Sequence, residues 1–306
     1  MQDLNQAPGS GDQTVSVIII NYNAGALLAS CVASALGQST EIIIVDNASA
    51  DHSTDAVASK WPHIKIIKNG SNLGFATACN IGARAANGSH FLFLNPDCVL
   101  AVDAVQRMHE AADSLEDVGM VGGLLVDPDG TEQGGGRRAV PTPWRSLVRA
   151  MGLSRFADRW PRLFYDFHLH KQPLPTTPIE VEAISGACMM VPRHAMEKVG
   201  AWDEAYFLHC EDLDLCMRFR RMDWKILFAP SAKVVHEKGA CSHSQPIFVE
   251  WHKHKGMMRF YRKFFRHQYP GVLMGLVAVG VWLRFGLVFT YYSSKHIGRK
   301  LGLVRA

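Results

Sequence analysis

Short aliphatic runs alternate with helix-spaced stretches through the first 130 residues. Residues 15–20, rich in Val and Ile, end on the polar Asn21-Tyr22-Asn23, and a second apolar run at 41–45 ends on Asp46-Asn47. Continuous apolarity over five or six residues marks a strand buried on both faces, as in a parallel sheet. Helical spacing of apolar residues follows over 25–36, and a further helix is predicted between Asp46 and Ser59. A strand at 64–68, a helix at 75–86 and a strand at 91–94 continue the series. This β-α-β-α order predicts an α/β fold with an open, mostly parallel sheet and helices on both faces. Ligands of such sheets bind beyond the carboxyl ends of the strands. Asn23, Asp46 and Asn95-Pro96-Asp97 each follow a strand, so the pattern alone places them on one rim.

The second half is less regular. A helix at 102–115, a strand at 118–126 and the turn Asp127-Pro128-Asp129-Gly130 close the first series. From 131 to 178 periodicity fails, and the stretch carries Gly134-Gly135-Gly136, Arg137-Arg138, several prolines and Trp144, Trp160, Phe164 and Tyr165. A mobile or acceptor-facing segment and a plain surface loop fit it equally. Order returns with a strand at 187–191, a helix at 193–199 ended by Gly200, a helix at 211–222 and short strands at 226–228 and 234–235.

The last 56 residues differ in kind. Residues 251–267 mix Lys and Arg with Met257, Met258, Phe260, Tyr261, Phe264 and Phe265, the pattern of a basic amphipathic helix lying in a membrane interface. Residues 271–292 are almost wholly apolar, long enough to cross a bilayer core of about 30 Å, but they contain Arg284. A mid-membrane arginine costs roughly 2.5 to 3.5 kcal/mol on insertion scales, so spanning the membrane and lying on it both stay open. Packing on the body or on a second subunit is the bland alternative for this region.

Charge sharpens the division. The net charge of +4 conceals 11 Lys and Arg with no Asp or Glu in residues 251–306, which leaves residues 1–250 with 21 basic against 28 acidic groups. The basic tail suits an anionic membrane surface, whereas an acidic body disfavours nucleic acid and has carboxylates to spare for a metal. Residues 1–13 lack a basic stretch followed by an apolar one, so they read as a loose tail rather than a secretory signal, and the start is expected to stay in the cytosol. The seven cysteines, Cys31, Cys79, Cys98, Cys188, Cys210, Cys216 and Cys241, are odd in number and show no C-x-x-C pair, so they read as buried thiols.

Two constellations carry chemistry. Asp97, just past a strand, is placed to hold a hard divalent cation against a phosphate-bearing ligand. His209-Cys210-Glu211-Asp212-Leu213-Asp214 packs three carboxylates into four residues at a helix start, where the helix dipole tolerates negative charge. A helix cap accounts for one of them, and a positioned carboxylate there can act as a general base toward a hydroxyl. His236, ending the 234–235 strand, can add an imidazole to the metal.

Seven segments occur in the order seen in family-2 glycosyltransferases of GT-A fold. They are residues 15–23, Ile44-Val45-Asp46-Asn47-Ala48-Ser49-Ala50-Asp51, Asn72-Leu73-Gly74-Phe75, Phe93-Leu94-Asn95-Pro96-Asp97, Ser185-Gly186-Ala187, Glu211-Asp212-Leu213-Asp214 and Val234-Val235-His236. The set, spanning about residues 14 to 240, resembles the rhamnosyltransferase-like branch most closely. The resemblance implies an inverting, metal-dependent glycosyltransferase that uses Mg²⁺ or Mn²⁺ and a nucleotide-diphosphate sugar donor, with dTDP-rhamnose favoured. It further implies a lipid-linked or growing cell-surface saccharide acceptor at the cytoplasmic face of a membrane.

Residue by residue, the resemblance places Asn23, Asp46 and Asp51 around the donor nucleotide, and Asp97 and His236 at the metal. Asn95 stands at the first position of an Asp-x-Asp signature, whose Asp is often replaced in the family, and it can still reach the metal as an amide ligand or through water. Asp212 matches the base, with Glu211 as the exchangeable alternative, while Gly186 and Asp214 fall near the acceptor. Residues 14–130 would then form the nucleotide-sugar half, 131–250 the acceptor and catalytic half, and 251–306 a membrane-associated helical appendage. The oligomeric state is open.

Three other readings were weighed. A nucleotidyltransferase would want a basic, glycine-rich phosphate loop after the first strand, and residues 21–25 contain no Lys or Arg. A non-catalytic membrane-bound module gains nothing from the acidic cluster and His236. A dinucleotide oxidoreductase would want a G-x-G-x-x-G after a strand, and none is present.

Overall fold

The computed structural model describes residues 14–157, 159–164, 167, 169–239 and 245–300, with side chains except those of 150 and 296–300. The expected loose tail at 1–13, together with Tyr165 and Cys241, lies outside the described residues.

The elements are β1 (Val15–Asn21), α1 (Ala26–Ala35), β2 (Glu41–Asp46), α2 (Ser53–Lys60), β3 (Lys65–Lys68), α3 (Phe75–Ala85), β4 (His90–Leu94) and β5 (Cys98–Leu100). There follow α4 (Ala104–Ala112), β6 (Val118–Val126), β7 (Arg137–Arg138), α5 (Pro143–Ala150), α6 (Pro161–Phe164), β8 (Ile179–Glu180), β9 (Ala183–Ile184) and β10 (Cys188–Pro192). The last are α7 (Arg193–Val199), α8 (Glu211–Arg221), β11 (Lys225–His236), α9 (Pro246–Phe265) and α10 (Gly271–Lys300).

The main sheet runs β3-β2-β1-β4-β10-β6-β11-β5, with β8 on the flank of β11. β3, β2, β1 and β4 pair in parallel, β10 is antiparallel to both β4 and β6, and β11 lies parallel to β6. Neighbouring residues of one strand serve opposite faces. Ile18 and Ile20 of β1 join the core under α3, α8 and α9, while Val17 and Ile19 join the core under α1, α2 and α4. The unbroken apolar runs are thus strands covered on both sides. Gly82 shows how close the layers sit, since a Cβ there would lie 2.2 Å from Ile18 Cγ2.

Three expectations change. The short strands at 226–228 and 234–235 are one strand, β11, interrupted by a register break between Ala229 and Lys233. Pro230 lies in that break, where its missing N–H costs no ladder bond. Within 131–178, two segments are ordered: β7 by its long-range pairing with β9, and α5 by a local cap in which Thr142 accepts from the Arg145 N–H.

The third change concerns α9. Phe260, Tyr261, Phe264 and Phe265 are at most 3% exposed and belong to the main core. Tyr261 donates to Ser146 Oγ at 2.7 Å, and Lys263 reaches Asp214 of α8 at 2.6 Å. The aromatic face expected to enter a membrane interface is part of the protein interior, and α9 is a helix of the body. α10 folds back along it: Trp251 stacks near Trp282 and Phe285, and Val277 and Val281 are buried.

Candidate active site

The rim begins where β1 and β2 end. Asn21 Nδ2 donates to Asp46 Oδ1 at 2.8 Å and to the Ser53 hydroxyl at 2.9 Å, and Ser49 donates its own hydroxyl to Asp46 Oδ1 at 2.6 Å. Asp46 is buried, so it holds this loop rather than facing outward. Asn23, in the left-handed region at φ 51°, accepts from Ala50 N–H through Oδ1 at 2.8 Å. Asp51 accepts from the Gly25 N–H at 2.7 Å and from both the N–H and hydroxyl of Ser53. Burial opposes its ionisation, but these donors outweigh that and hold its carboxyl below the usual range. The three residues named for the nucleotide therefore stitch the two loops together, with Asn23 and Asp51 on the exposed side.

The second part comes from sheet register. β5 pairs antiparallel with β11 so that His236 sits opposite Cys98, which brings its ring to Asp97, 139 positions earlier in the chain. His236 Nε2 lies 3.4 Å from Asp97 Oδ1, and both side chains are buried. Gln133 decides which ring nitrogen carries the proton. Its Nε2 donates to Asp127 Oδ1 and to the His236 carbonyl, each at 2.6 Å, so its Oε1, 2.8 Å from His236 Nδ1, must accept. The proton is then on Nδ1, and the Nε2 lone pair points toward Asp97. Asp97 Oδ1 has no hydrogen-bond partner. An imidazole nitrogen and a carboxylate oxygen without a hydrogen-bond partner thus lie 3.4 Å apart in a buried gap, an arrangement that suits a cation held between them.

Cys98 is close enough to complete a three-ligand group with Asp97 and His236. Burial pushes its thiol far up, and the sulfur donates to the Ala187 carbonyl at 3.4 Å, so it stays a neutral thiol. The donor set is one carboxylate and one imidazole, which suits Mg²⁺ or Mn²⁺ completed by ligand oxygens. The Asn95 carboxamide makes no hydrogen bond among the described residues, and its backbone N–H donates to the Ala187 carbonyl at 2.9 Å.

The third part surrounds Asp212. His209 and Cys210 both take positive φ, 68° and 73°, in the turn that launches α8. Such backbone in non-glycine residues is strained and occurs where a turn must aim side chains. Glu211 and Asp212 then point apart. Glu211 is buried with Oε2 unpartnered, and burial together with the Asp212 charge raises its carboxyl well above the ordinary range. Buried as it is, Glu211 is less accessible to an acceptor hydroxyl than Asp212. Asp212 keeps partial exposure, accepting from the Gly186 N–H at 3.3 Å and from Arg138. Burial works against the Arg138 charge, but Asp212 outweighs it and raises the guanidinium pKa.

The β7–β9 pairing explains this meeting. Arg138 lies opposite Ala183, and Gly186 follows three residues later. A Cβ at Gly186 would sit 3.3 Å from Asp212 Cβ, so the close approach expected near an acceptor is an approach to Asp212.

Asp214 corrects an expectation. Its side chain has no exposed area, and it is held by Arg218 at 2.8 Å and Lys263 at 2.6 Å. It ties α8 to α9 and is closed to an acceptor. Arg138 and Gln133, by contrast, take site roles that the sequence does not announce. Their partners lie 74 and 103 residues away, and no local pattern announces such pairs.

With this geometry in view, the relatives fall into place. Residues 16–200 match the profile of Glycosyl transferase family 2, and residues 135–297 that of Glycosyl transferase family group 2. The chain belongs to glycosyl transferase family 2 and is a glycosyltransferase of GT-A fold. Within the family it is rhamnosyltransferase-like. It is 29% identical over 245 residues to N-acetylglucosaminyl-diphospho-decaprenol L-rhamnosyltransferase of Mycobacterium tuberculosis, covering 75% of this chain and 78% of that one. It is 24% identical over 231 residues to the low-salt glycan biosynthesis hexosyltransferase Agl10 of Haloferax volcanii, covering 73% and 67%.

Two solved structures share the fold. The mannosyltransferase PcManGT of Pyrobaculum calidifontis, in complex with GDP-Man and Mn²⁺, superposes with TM-score 0.54 at 16% identity, covering 99% of this chain and 85% of that one. GalNAc-T7 with UDP, GalNAc and Mn²⁺ gives TM-score 0.56 at 19% identity, covering 77% of this chain and 47% of that one.

Proposed function

We propose that this glycosyltransferase moves a sugar, rhamnose from a dTDP donor being the first choice, onto a lipid-diphosphate-linked saccharide with inversion at the anomeric carbon. The observation that carries the reading is the pairing of a cation gap at Asp97 and His236 with a partly exposed carboxylate, Asp212, on the same sheet rim. The Mycobacterium relative's name supplies the lipid-linked acceptor and the rhamnosyl group. Both structural neighbours hold nucleotide and Mn²⁺.

Asn23 and Asp51 would bind the nucleoside, on loops that Asp46 braces. A divalent cation at Asp97 and His236 would offset the charge growing on the departing diphosphate. Asp212 takes the proton from the acceptor hydroxyl as that oxygen bonds to the anomeric carbon and the bond to the diphosphate breaks. Arg138 orients Asp212, and Gly186 leaves room for the acceptor beside it. Incubation with a panel of nucleotide sugars, read by release of nucleoside diphosphate, tests this directly: release should need Mg²⁺ or Mn²⁺ and favour dTDP-rhamnose. Equal release in excess EDTA would contradict it.

The membrane reading moves from α9 to α10. Residues Gly271–Lys295 have mean hydropathy 2.2 over their most apolar window, with 6% of that window buried. Val272, Leu276, Val279, Leu283 and Leu287 are exposed at spacings of three and four, a single stripe opposite the face packed on α9. By length and composition α10 is apolar enough to cross a membrane, and the exposed stripe meets lipid whether the helix crosses it or lies along it. The side toward which it lies is proposed to be cytoplasmic.

A chain ending after Pro270 should therefore become soluble without detergent, keep donor binding and lose activity mainly on lipid-linked acceptors. Unchanged partitioning on fractionation would refute the role of α10. A cut near Glu250 would not test it. That cut removes Phe260, Phe264 and Phe265 from the core at roughly 1.5 to 3 kcal/mol each, so the body itself would be damaged.

A further inference from the structure

The sheet rim does not account for a separate cavity of about 630 Å³ between residues 205–207, α9 and α10. Its walls include Lys255, Arg259, Arg262 and Lys263 and no carboxylate, with the rings of Phe207 and Trp282 beside them. Lys255, Arg259 and Arg262 fall at i, i+4 and i+7 on α9, which sets them along one helix face. Asp203, behind this wall, binds Arg259 at 2.9 Å and Lys263 at 2.7 Å, so those two cations are held and largely compensated. Among the described residues, Lys255 and Arg262 have no ion-pair partner. The cavity is built to receive negative charge that the protein does not itself supply.

A second cavity, of about 490 Å³, shares Met258 and Arg262 with the first, has Arg266 at its wall and continues past Met274, Gly275 and Ala278 of α10. A Cβ at Gly275 would meet nothing within 4 Å, so this stretch is open. Arg262 stands where a cationic chamber meets a groove whose α10 wall is apolar, with Arg266 on its α9 side, and the groove runs along the helix that carries the apolar stripe. The cationic chamber also abuts the catalytic turn. Phe207 leads within five residues to Glu211 and Asp212, and the His209 carbonyl presses on Gly256 of α9, where a Cβ would come within 2.6 Å of it.

We infer that the cleft between α9 and α10 binds the diphosphate and the first isoprenoid units of the acceptor's lipid carrier, which presupposes the lipid-linked acceptor proposed above. The diphosphate sits against Lys255 and Arg262, the hydrocarbon lies along Met274, Gly275 and Ala278, and the saccharide extends past Phe207 toward Asp212.

The test uses the full chain in detergent with farnesyl diphosphate as the probe, followed by titration calorimetry. Because each charge-assisted hydrogen bond is worth a factor of about 10 or more, Lys255→Ala with Arg262→Ala should weaken farnesyl diphosphate at least that much. Both side chains are exposed, so the fold should survive, which unchanged dTDP affinity would verify. Gly275→Leu should weaken farnesyl diphosphate while leaving inorganic pyrophosphate unaffected. In transfer assays the double variant should raise KM for the lipid-linked acceptor about ten-fold with kcat nearly constant.

Wild-type affinity for farnesyl diphosphate in the double variant overturns the proposal. So does equal binding of inorganic pyrophosphate and farnesyl diphosphate, which would mark a plain anion pocket. Loss of binding to phosphatidylglycerol vesicles with farnesyl diphosphate binding intact would mark a membrane-surface patch instead, and also overturns it. Metal-dependent release of nucleoside diphosphate is measured alongside, so failure of the rim chemistry is seen separately from failure of this cleft.

Discussion

Asp212→Asn is expected to lower turnover by about 10² to 10⁴-fold, the usual contribution of a positioned general base, while donor affinity stays nearly intact. The substitution preserves shape and can keep an acceptor for the Gly186 N–H, but it removes the group that takes the proton. Glu211→Gln is expected to be mild by comparison, because Glu211 is buried and out of reach of an acceptor hydroxyl. The comparison is made by initial rates at saturating donor, with dTDP affinity measured separately. If Glu211→Gln does the greater damage, the base has been assigned to the wrong carboxylate.

Asp97→Ala carries the second large effect. It removes one of the two protein groups facing the cation gap and leaves only the His236 imidazole, held by Gln133. Lost electrostatic stabilisation of the departing diphosphate should cost about 10² to 10³-fold in kcat, and Mn²⁺ affinity, read by electron paramagnetic resonance in the presence of dTDP, should fall with it. Chelation of the wild-type protein with EDTA should abolish transfer, and Mg²⁺ or Mn²⁺ should restore it. Retention of metal binding by Asp97→Ala would place the cation elsewhere.

How much of this was readable beforehand follows from the range of the interactions. β1, β2 and β4 end in Asn21, Asp46 and Asn95-Pro96-Asp97, and a run of buried residues stopping at polar ones is a local signal. Asp97 and His236 were accordingly found one at a time. Their contact needed the β5–β11 register, which a string does not contain.

Roles for Arg138 and Gln133 carry no local signal, because their places are set by distant partners: the β7–β9 ladder and a hydrogen bond across 103 positions. The acidic cluster misled in a different way. Successive helical positions turn by about 100°, so three carboxylates in four residues cannot all face one ligand: Asp212 faces the site, while Glu211 and Asp214 face the interior. The aromatic face of α9 shows the same limit. Periodicity reports that a face is apolar, and a lipid interface and a protein core satisfy it equally.

The most direct measurement of the central claim is the mass of the glycolipid. Full-length protein with Mg²⁺, a nucleotide-sugar panel including dTDP-rhamnose and a short-chain N-acetylglucosaminyl-diphospho-polyprenol would be analysed by mass spectrometry. The account predicts a gain of one sugar residue on the lipid-linked acceptor, strongest with dTDP-rhamnose, absent with EDTA and reduced at least 100-fold in Asp212→Asn. No mass gain with any donor, from folded protein that binds metal and nucleotide, would contradict it.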